Sequence, residues 1–249
     1  MNPFETARAL LFPPRCISCG KRIGVQEALC ESCMLGFERA MRVQCHRCNL
    51  EYASCRCVPA VLRRAGAKDL IKLLAYTERA DGKVAQRIVL GMKKKPHKRA
   101  VRFCAEELAA SLRPILRERA EREADRASVP TVVTWLPRNR RNRREYGFDQ
   151  AEALARAVAE QLALPALPLL VRCRDALPQK ELSAAARMEN LRGVFASCAD
   201  VRGMRVLLVD DVVTTGAGLA HGTRVLRRLG AHEVLPVALA ATELRRVHK

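Results

Sequence analysis

The stretch VLLVDDVVTTGAG, Val206 to Gly218, decides the fold. Its apolar residues, with Arg205 in front, run without interruption into two adjacent carboxylates, Asp210 and Asp211. RVLLV, 205–209, predicts a strand buried on both faces, the form strands take in a parallel sheet. A small, hydroxyl-rich turn, Thr214-Thr215-Gly216, follows the acids. Beyond it Leu219, Gly222, Leu226 and Leu229 mark one face of a helix starting near Ala217, with Gly230 placed to end it. Two unit charges about 4 Å apart repel by about 4 kcal/mol at an effective dielectric of 20. Paired acids at a strand end therefore call for sugar hydroxyls or a metal ion to hold. The helix start offers unpaired N–H groups and a positive dipole end, and glycine admits a ligand to the backbone. The stretch is a candidate phosphate cradle beside a candidate hydroxyl site. Taken alone, it also reads as a capped helix start with one solvated acid.

Working outward, TVVTWL (131–136) predicts a strand, Leu154, Val158 and Leu162 a helix, and ALPLLVRC (166–173) a further strand candidate. EVLPVALA, beginning at Glu233, closes the alternation, with Pro236 pointing to an edge or a break. Strand–helix alternation of this kind predicts an α/β domain with a mostly parallel sheet, whose ligands sit beyond the carboxyl ends of the strands. Arg138, Arg140, Arg141, Arg143 and Arg144 follow the first of these strands and so fall at the same end as Asp210. Their guanidinium groups suit pyrophosphate, whose oxygens they can bind in pairs, or the backbone of a nucleic acid. Upstream, KDLIKLLAY (68–76) has apolar residues at 70, 73 and 74, the spacing of a helical face. A basic run, Lys93 to Lys95, ends at Pro96. Val101, Ala105, Leu108 and Leu112 predict a helix from near His97 that Pro114 should kink or end, with RERAEREADR (117–126) as a solvated extension.

Eight of the eleven cysteines lie between residues 16 and 57, as Cys16-x-x-Cys19, Cys30-x-x-Cys33, Cys45-x-x-Cys48 and Cys55-x-Cys57. Two thiolates across a two-residue turn grip one metal ion from the same side, and two such knuckles complete a tetrahedral site. The simplest pairing is sequential: Cys16, Cys19, Cys30 and Cys33 in one site, Cys45, Cys48, Cys55 and Cys57 in the other. Spacing alone also allows a cross-braced pairing, and an iron–sulfur cluster is the rival to zinc. Four-thiolate sites are closed, so two structural zinc ions are expected, with no catalytic role. In small zinc modules the metal contributes roughly 10–16 kcal/mol of apparent binding energy to folding. His46 is expected to be a turn residue, and Cys104, Cys173 and Cys198 to be small buried apolar residues.

The chain of 249 residues is 49% hydrophobic and 29% charged, the balance of a soluble globular protein. LALPALPLLV (162–171) is interrupted by prolines and too short to span a bilayer, and no secretory signal is expected, so no membrane insertion and a reducing, cytoplasmic setting follow. The formal charge of +19 falls to about +15 when eight thiolates bind two Zn²⁺. Either value points to polyanionic partners, nucleic acid or phosphorylated small molecules.

VLLVDDVVTTGAG resembles the phosphoribosyl-pyrophosphate (PRPP) motif of type I phosphoribosyltransferases. The resemblance implies that Asp210 and Asp211 contact the ribose hydroxyls, and that Val212, Val213, Thr214, Thr215 and Gly216 wrap the 5′-phosphate. It further implies that the loop with Arg138, Arg140 and Arg141 faces the pyrophosphate and that Mg²⁺ accompanies PRPP. One departure is Gly218, where that family usually has Thr or Ser. A double zinc ribbon joined to such a domain is similar to the ComF (competence protein F) family. LLFPPRCISCG looks like that family's opening, and LPRNRRNRREYGFDQAEALARAVA is similar to its basic signature. Here Tyr146-Gly147-Phe148-Asp149-Gln150 stands in place of R-G-F-N-Q. LPQKELSAAARMENLRGVF matches a further stretch through Gln179, Leu182, Arg187, Asn190 and Phe195, and 174–193 would be the loop that closes over substrate.

The implied architecture is α/β: a type I phosphoribosyltransferase-like parallel sheet flanked by helices, with a small N-terminal double zinc ribbon. The ribbon would occupy 1–60, a helical connector with the first part of the transferase-like domain 61–127, and the core 128–249. The implied role is in DNA uptake and natural transformation, with PRPP or another sugar phosphate, single-stranded DNA and other competence proteins as partners. Turnover stays open. The alternative is a non-catalytic accessory protein that binds single-stranded DNA or docks proteins on the same scaffold.

Overall fold

A computed structural model of the chain describes residues 13–77, 83–94, 97–122, 129–139, 144–173, 194–197 and 199–242. Arg140, Arg141 and Arg143, the stretch 174–193 expected to close over substrate, and Cys198 lie outside the described residues. In chain order the elements are α1 (Glu31–Arg42), α2 (Ala60–Arg63), β1 (Ile71–Ala75), α3 (Lys83–Lys94), α4 (Lys98–Arg122), β2 (Thr131–Trp135), α5 (Gln150–Leu162), β3 (Val171–Arg172), β4 (Phe195–Ala196), β5 (Arg205–Val213), α6 (Ala217–Arg228) and β6 (Glu233–Ala241).

β1, β6, β5 and β2 form one parallel sheet in that order. β5 is interior, and Val206 to Val209 are all buried because helices cover both faces. Leu207 and Val209 pack in one core with Leu108 of α4 and Leu154 and Val158 of α5. Val206 and Leu208 pack in a second core with Leu62 of α2 and Leu219 and Leu226 of α6. The N-terminal module reaches both: Cys16, Cys30 and Cys33 join the first core, Cys45 and Cys55 the second.

Several local expectations change. KDLIKLLAY is not helical; Ile71–Ala75 is β1, every residue of it buried. A five-residue run covered on both faces carries no periodicity to tell strand from helix. Pro236 neither breaks β6 nor places it at an edge. It pairs in register with Leu208, one residue before β1 joins at Val237, where β6 has a single strand neighbour. α4 continues through Pro114 to Arg122. Pro114 and Ala110, whose carbonyl loses its amide partner, both face solvent, so water can take the freed bond. Most of 166–173 is irregular; only Val171–Arg172 is a strand, paired antiparallel with β4 outside the main sheet.

Candidate ligand site and metal centres

A cavity of about 400 Å³ opens where β2 and β5 end. β5 does not stop at Val209: its ladder with β6 runs on through Asp210↔Ala238 and Val212↔Ala240 to Val213↔Ala241. Asp210 and Asp211 are therefore strand residues whose backbone the sheet fixes. Asp210 Oδ1 accepts from the Asp211 amide at 2.9 Å, and Asp211 Oδ1 accepts from the Val212 amide at 2.7 Å. Lys93, near the end of α3, puts Nζ 3.4 Å from Asp211 Oδ2. Burial, and then the neighbouring Asp211 charge, push the Asp210 carboxyl well above the usual carboxylate range. A ligand that donates hydroxyls or brings a cation would favour its ionised form.

Val212 and Val213 line the cavity, yet they belong to the strand rather than to the turn, and the Val213 side chain is in the core. The turn proper is Thr214 to Gly216. Gly216 has φ +77°, a conformation that favours glycine, and an added Cβ would sit 3.4 Å from Pro59 Cγ. As N-cap of α6 it supplies no side-chain bond, and the first turn of the helix lines the cavity. Thr215 Oγ1 accepts from the Ala217 amide at 3.4 Å. The departure at Gly218 has a steric counterpart: a Cβ there would lie 3.3 Å from Leu136 Cδ1.

Across the cavity, Arg138 and Gln150 each present a buried side-chain nitrogen, Nη1 and Nε2, with no hydrogen-bond partner among the described residues. A buried donor left unpaired costs about 1–3 kcal/mol, a cost that an oxygen acceptor reaching either nitrogen would relieve. The Arg138 guanidinium lies 4.7 Å from the Tyr146 ring centroid. Its amide donates to Asp149 Oδ2 at 2.7 Å, while Asp149 Oδ1 caps α5 by accepting from the amides of Ala151 and Glu152. Burial raises the Asp149 carboxyl, with those three donors pulling the other way. Arg144 is exposed.

Two charged cavity residues were not singled out from sequence. Lys93 was visible only as one of a basic run. Arg172, with its guanidinium 5.4 Å from the Phe195 ring centroid, carried no signal inside an apolar stretch.

The cysteines gather as two groups, Cys16, Cys19, Cys30 and Cys33, and Cys45, Cys48, Cys55 and Cys57, with the sulfurs of each within 4.8 Å of one another. Zinc at about 2.3 Å from each thiolate sets sulfur–sulfur edges of about 3.8 Å. Cys19 and Cys30 are 3.7 Å apart and Cys48 and Cys55 3.5 Å, so both groups fit structural zinc. Lys72 of β1, read from sequence as part of a helix, is buried and donates from Nζ to the Cys55 carbonyl at 2.8 Å and the Cys55 sulfur at 3.1 Å. Cys104 is buried in the core as expected, whereas Cys173 is exposed.

Residues 7–60 match the double zinc ribbon domain, and residues 149–249 match the phosphoribosyl transferase domain. Competence protein F of Haemophilus influenzae is 32% identical over 49% of this chain and 56% of its own length. The chain is similar to competence protein F over about half its length. DNA utilization protein YhgH of Salmonella typhimurium is 31% identical over 55% of this chain and 61% of its own length. The chain thus matches little more than half the length of these curated relatives. A hypoxanthine phosphoribosyltransferase structure from Staphylococcus aureus overlaps 64% of this chain and 75% of its own, at 12% identity and a TM-score of 0.37. No helix among the described residues is long and apolar enough to cross a membrane.

Proposed function

We propose that the cavity binds PRPP together with Mg²⁺. The observation that carries this reading is that Asp210, Asp211 and the turn from Thr214 to Gly216 line one cavity with Lys93 and Arg138. On this reading Asp210 and Asp211 take the ribose hydroxyls, the turn from Thr214 to Gly216 takes the 5′-phosphate, and Lys93 and Arg138 face the pyrophosphate. Arg140 and Arg141 would extend that basic wall. Mg²⁺ would neutralise charge on the pyrophosphate oxygens. Displacing pyrophosphate from the ribose needs no protein nucleophile; it needs charge neutralisation and a positioned acceptor.

Calorimetric titration of PRPP with Mg²⁺ tests the reading on the wild type and on Asp210→Asn/Asp211→Asn. Saturable binding that the double variant loses supports it. No binding to folded, zinc-loaded wild type overturns it. Release of pyrophosphate on adding candidate acceptors then separates an enzyme from a PRPP sensor.

The names of the relatives, together with a net charge of +19, favour a place for this site in handling DNA in the cytoplasm, alongside other competence proteins. Binding of single-stranded DNA should then fall as salt rises, with a log–log slope of about −0.7 per phosphate contacted. A flat salt response would remove the backbone-contact reading.

A further inference from the structure

The second cysteine group lies against the strand end that carries the Thr214–Gly216 turn, and two routes join them. Tyr52, within the second knuckle pair and buried, directs its hydroxyl to the carbonyls of Ala241 at 3.1 Å and Thr242 at 2.8 Å. Thr242 in turn donates its amide to the Val213 carbonyl at 2.9 Å and its hydroxyl to the Thr214 carbonyl at 3.2 Å. Pro59, two residues beyond Cys57, is the neighbour that an added Cβ on Gly216 would meet. Behind the knuckle, Lys72 reaches the Cys55 sulfur, with its ammonium 5.1 Å from the Tyr52 ring centroid. The first cysteine group shares none of these contacts; its buried members pack in the other core, with Phe37 and Ile88.

We infer that the second tetrathiolate site braces the phosphate turn, with Tyr52, Pro59 and Lys72 as positioning residues. A zinc ion with four thiolates carries two net negative charges, and the Lys72 ammonium lies against a sulfur of that group. Lys72 holds Cys55 from the sheet side, Tyr52 ties the knuckle to the end of β6, and the end of β6 holds Val213 and Thr214. Loss of zinc from this site should therefore loosen residues 213–218, while loss from the first site should not. The importance of the turn for a ligand rests on the PRPP reading above; the brace does not.

Hydrogen exchange read by mass spectrometry over 213–218 tests it without any ligand. Tyr52→Phe removes one hydroxyl and keeps all eight thiols. It should speed exchange in that segment about three- to tenfold, the size of one lost hydrogen bond, with the rest of the sheet unchanged. Cys48→Ser should do the same and Cys19→Ser should not. Lys72→Met should quicken release of one of the two zinc ions to a chelating dye, in line with the 10–100-fold losses of metal affinity that outer-shell changes cause. Unchanged exchange in Tyr52→Phe overturns the inference, and so does an equal rise in Cys19→Ser, which would mean general loosening. If exchange responds as expected but wild type fails to bind PRPP, the brace stands and the PRPP reading falls.

Discussion

Lys93 Nζ lies 3.4 Å from Asp211 Oδ2, so the cation that faces the paired acids comes from a helix more than a hundred residues earlier in the chain. Because both side chains keep some contact with water, the pair itself adds less than about 1 kcal/mol to stability. Its larger effect should be on binding. Lys93→Met is expected to leave the melting temperature within a few degrees and to raise the Kd for PRPP with Mg²⁺ about tenfold, as loss of a charged contact does. Calorimetry decides it; an unchanged Kd would make Lys93 only a counter-charge for Asp211.

Asp210 should oppose folding as pH rises. Its carboxyl titrates well above the unfolded value, so the folded chain holds the extra proton and stability falls as pH climbs from about 4 through the raised value. Asp210→Asn keeps the oxygen that accepts from the Asp211 amide and has no proton to lose. The variant should match wild type near pH 4, melt higher at pH 8, and bind PRPP worse. Melting curves that fall in parallel from pH 4 to 9 would contradict the assignment of the shift to Asp210.

Asp149 does two jobs with two oxygens, and substitution can separate them. Asp149→Ala loses the cap of α5 and should cost about 1–2 kcal/mol in urea unfolding. Asp149→Asn keeps one oxygen for the cap but turns an NH₂ group toward the Arg138 amide. It should retain most of the stability while weakening PRPP binding. Unchanged PRPP binding in Asp149→Asn would mean that Asp149 acts only as a cap.

Gly218→Ser adds a hydroxyl beside the Thr214–Gly216 turn. Leu136 Cδ1, 3.3 Å from the added Cβ, has to yield by a few tenths of an ångström. Stability should stay within about 1 kcal/mol, since a glycine is also removed from a helix. Inorganic phosphate should bind about tenfold more tightly, the size of one hydrogen bond to a charged group. Weaker phosphate binding would show that the displaced Leu136 distorts the turn.

The legible parts were those with local signatures. The apolar run before Asp210, the small turn after Asp211 and the paired cysteines each announce their geometry within a few residues. The contributions of Lys93, Lys72 and Leu136 were not legible in the same way. Lys93 reaches Asp211 through tertiary packing alone. Lys72 sits in a strand too short and too thoroughly buried to show a period. Leu136 explains Gly218 only once α6 is seen lying against the end of β2. Pro236 misled for a related reason: at that residue β6 has β5 alone beside it, and the start of β1 is one residue further on.

Lys72 also has a consequence for the order in which the chain assembles. Residues 45–57 leave the ribosome before β1, and β1 long before Ala241, since synthesis delivers the N-terminal part first. The metal-loaded knuckle can thus be ready before the lysine that docks on it, and both before β6 closes the sheet. In metal-starved cells β1 would emerge with an ammonium in an otherwise apolar edge strand and no seat for it. Zinc supply then governs whether newly made chains finish folding, and the yield of soluble protein should follow zinc in the growth medium even where nothing downstream requires the metal.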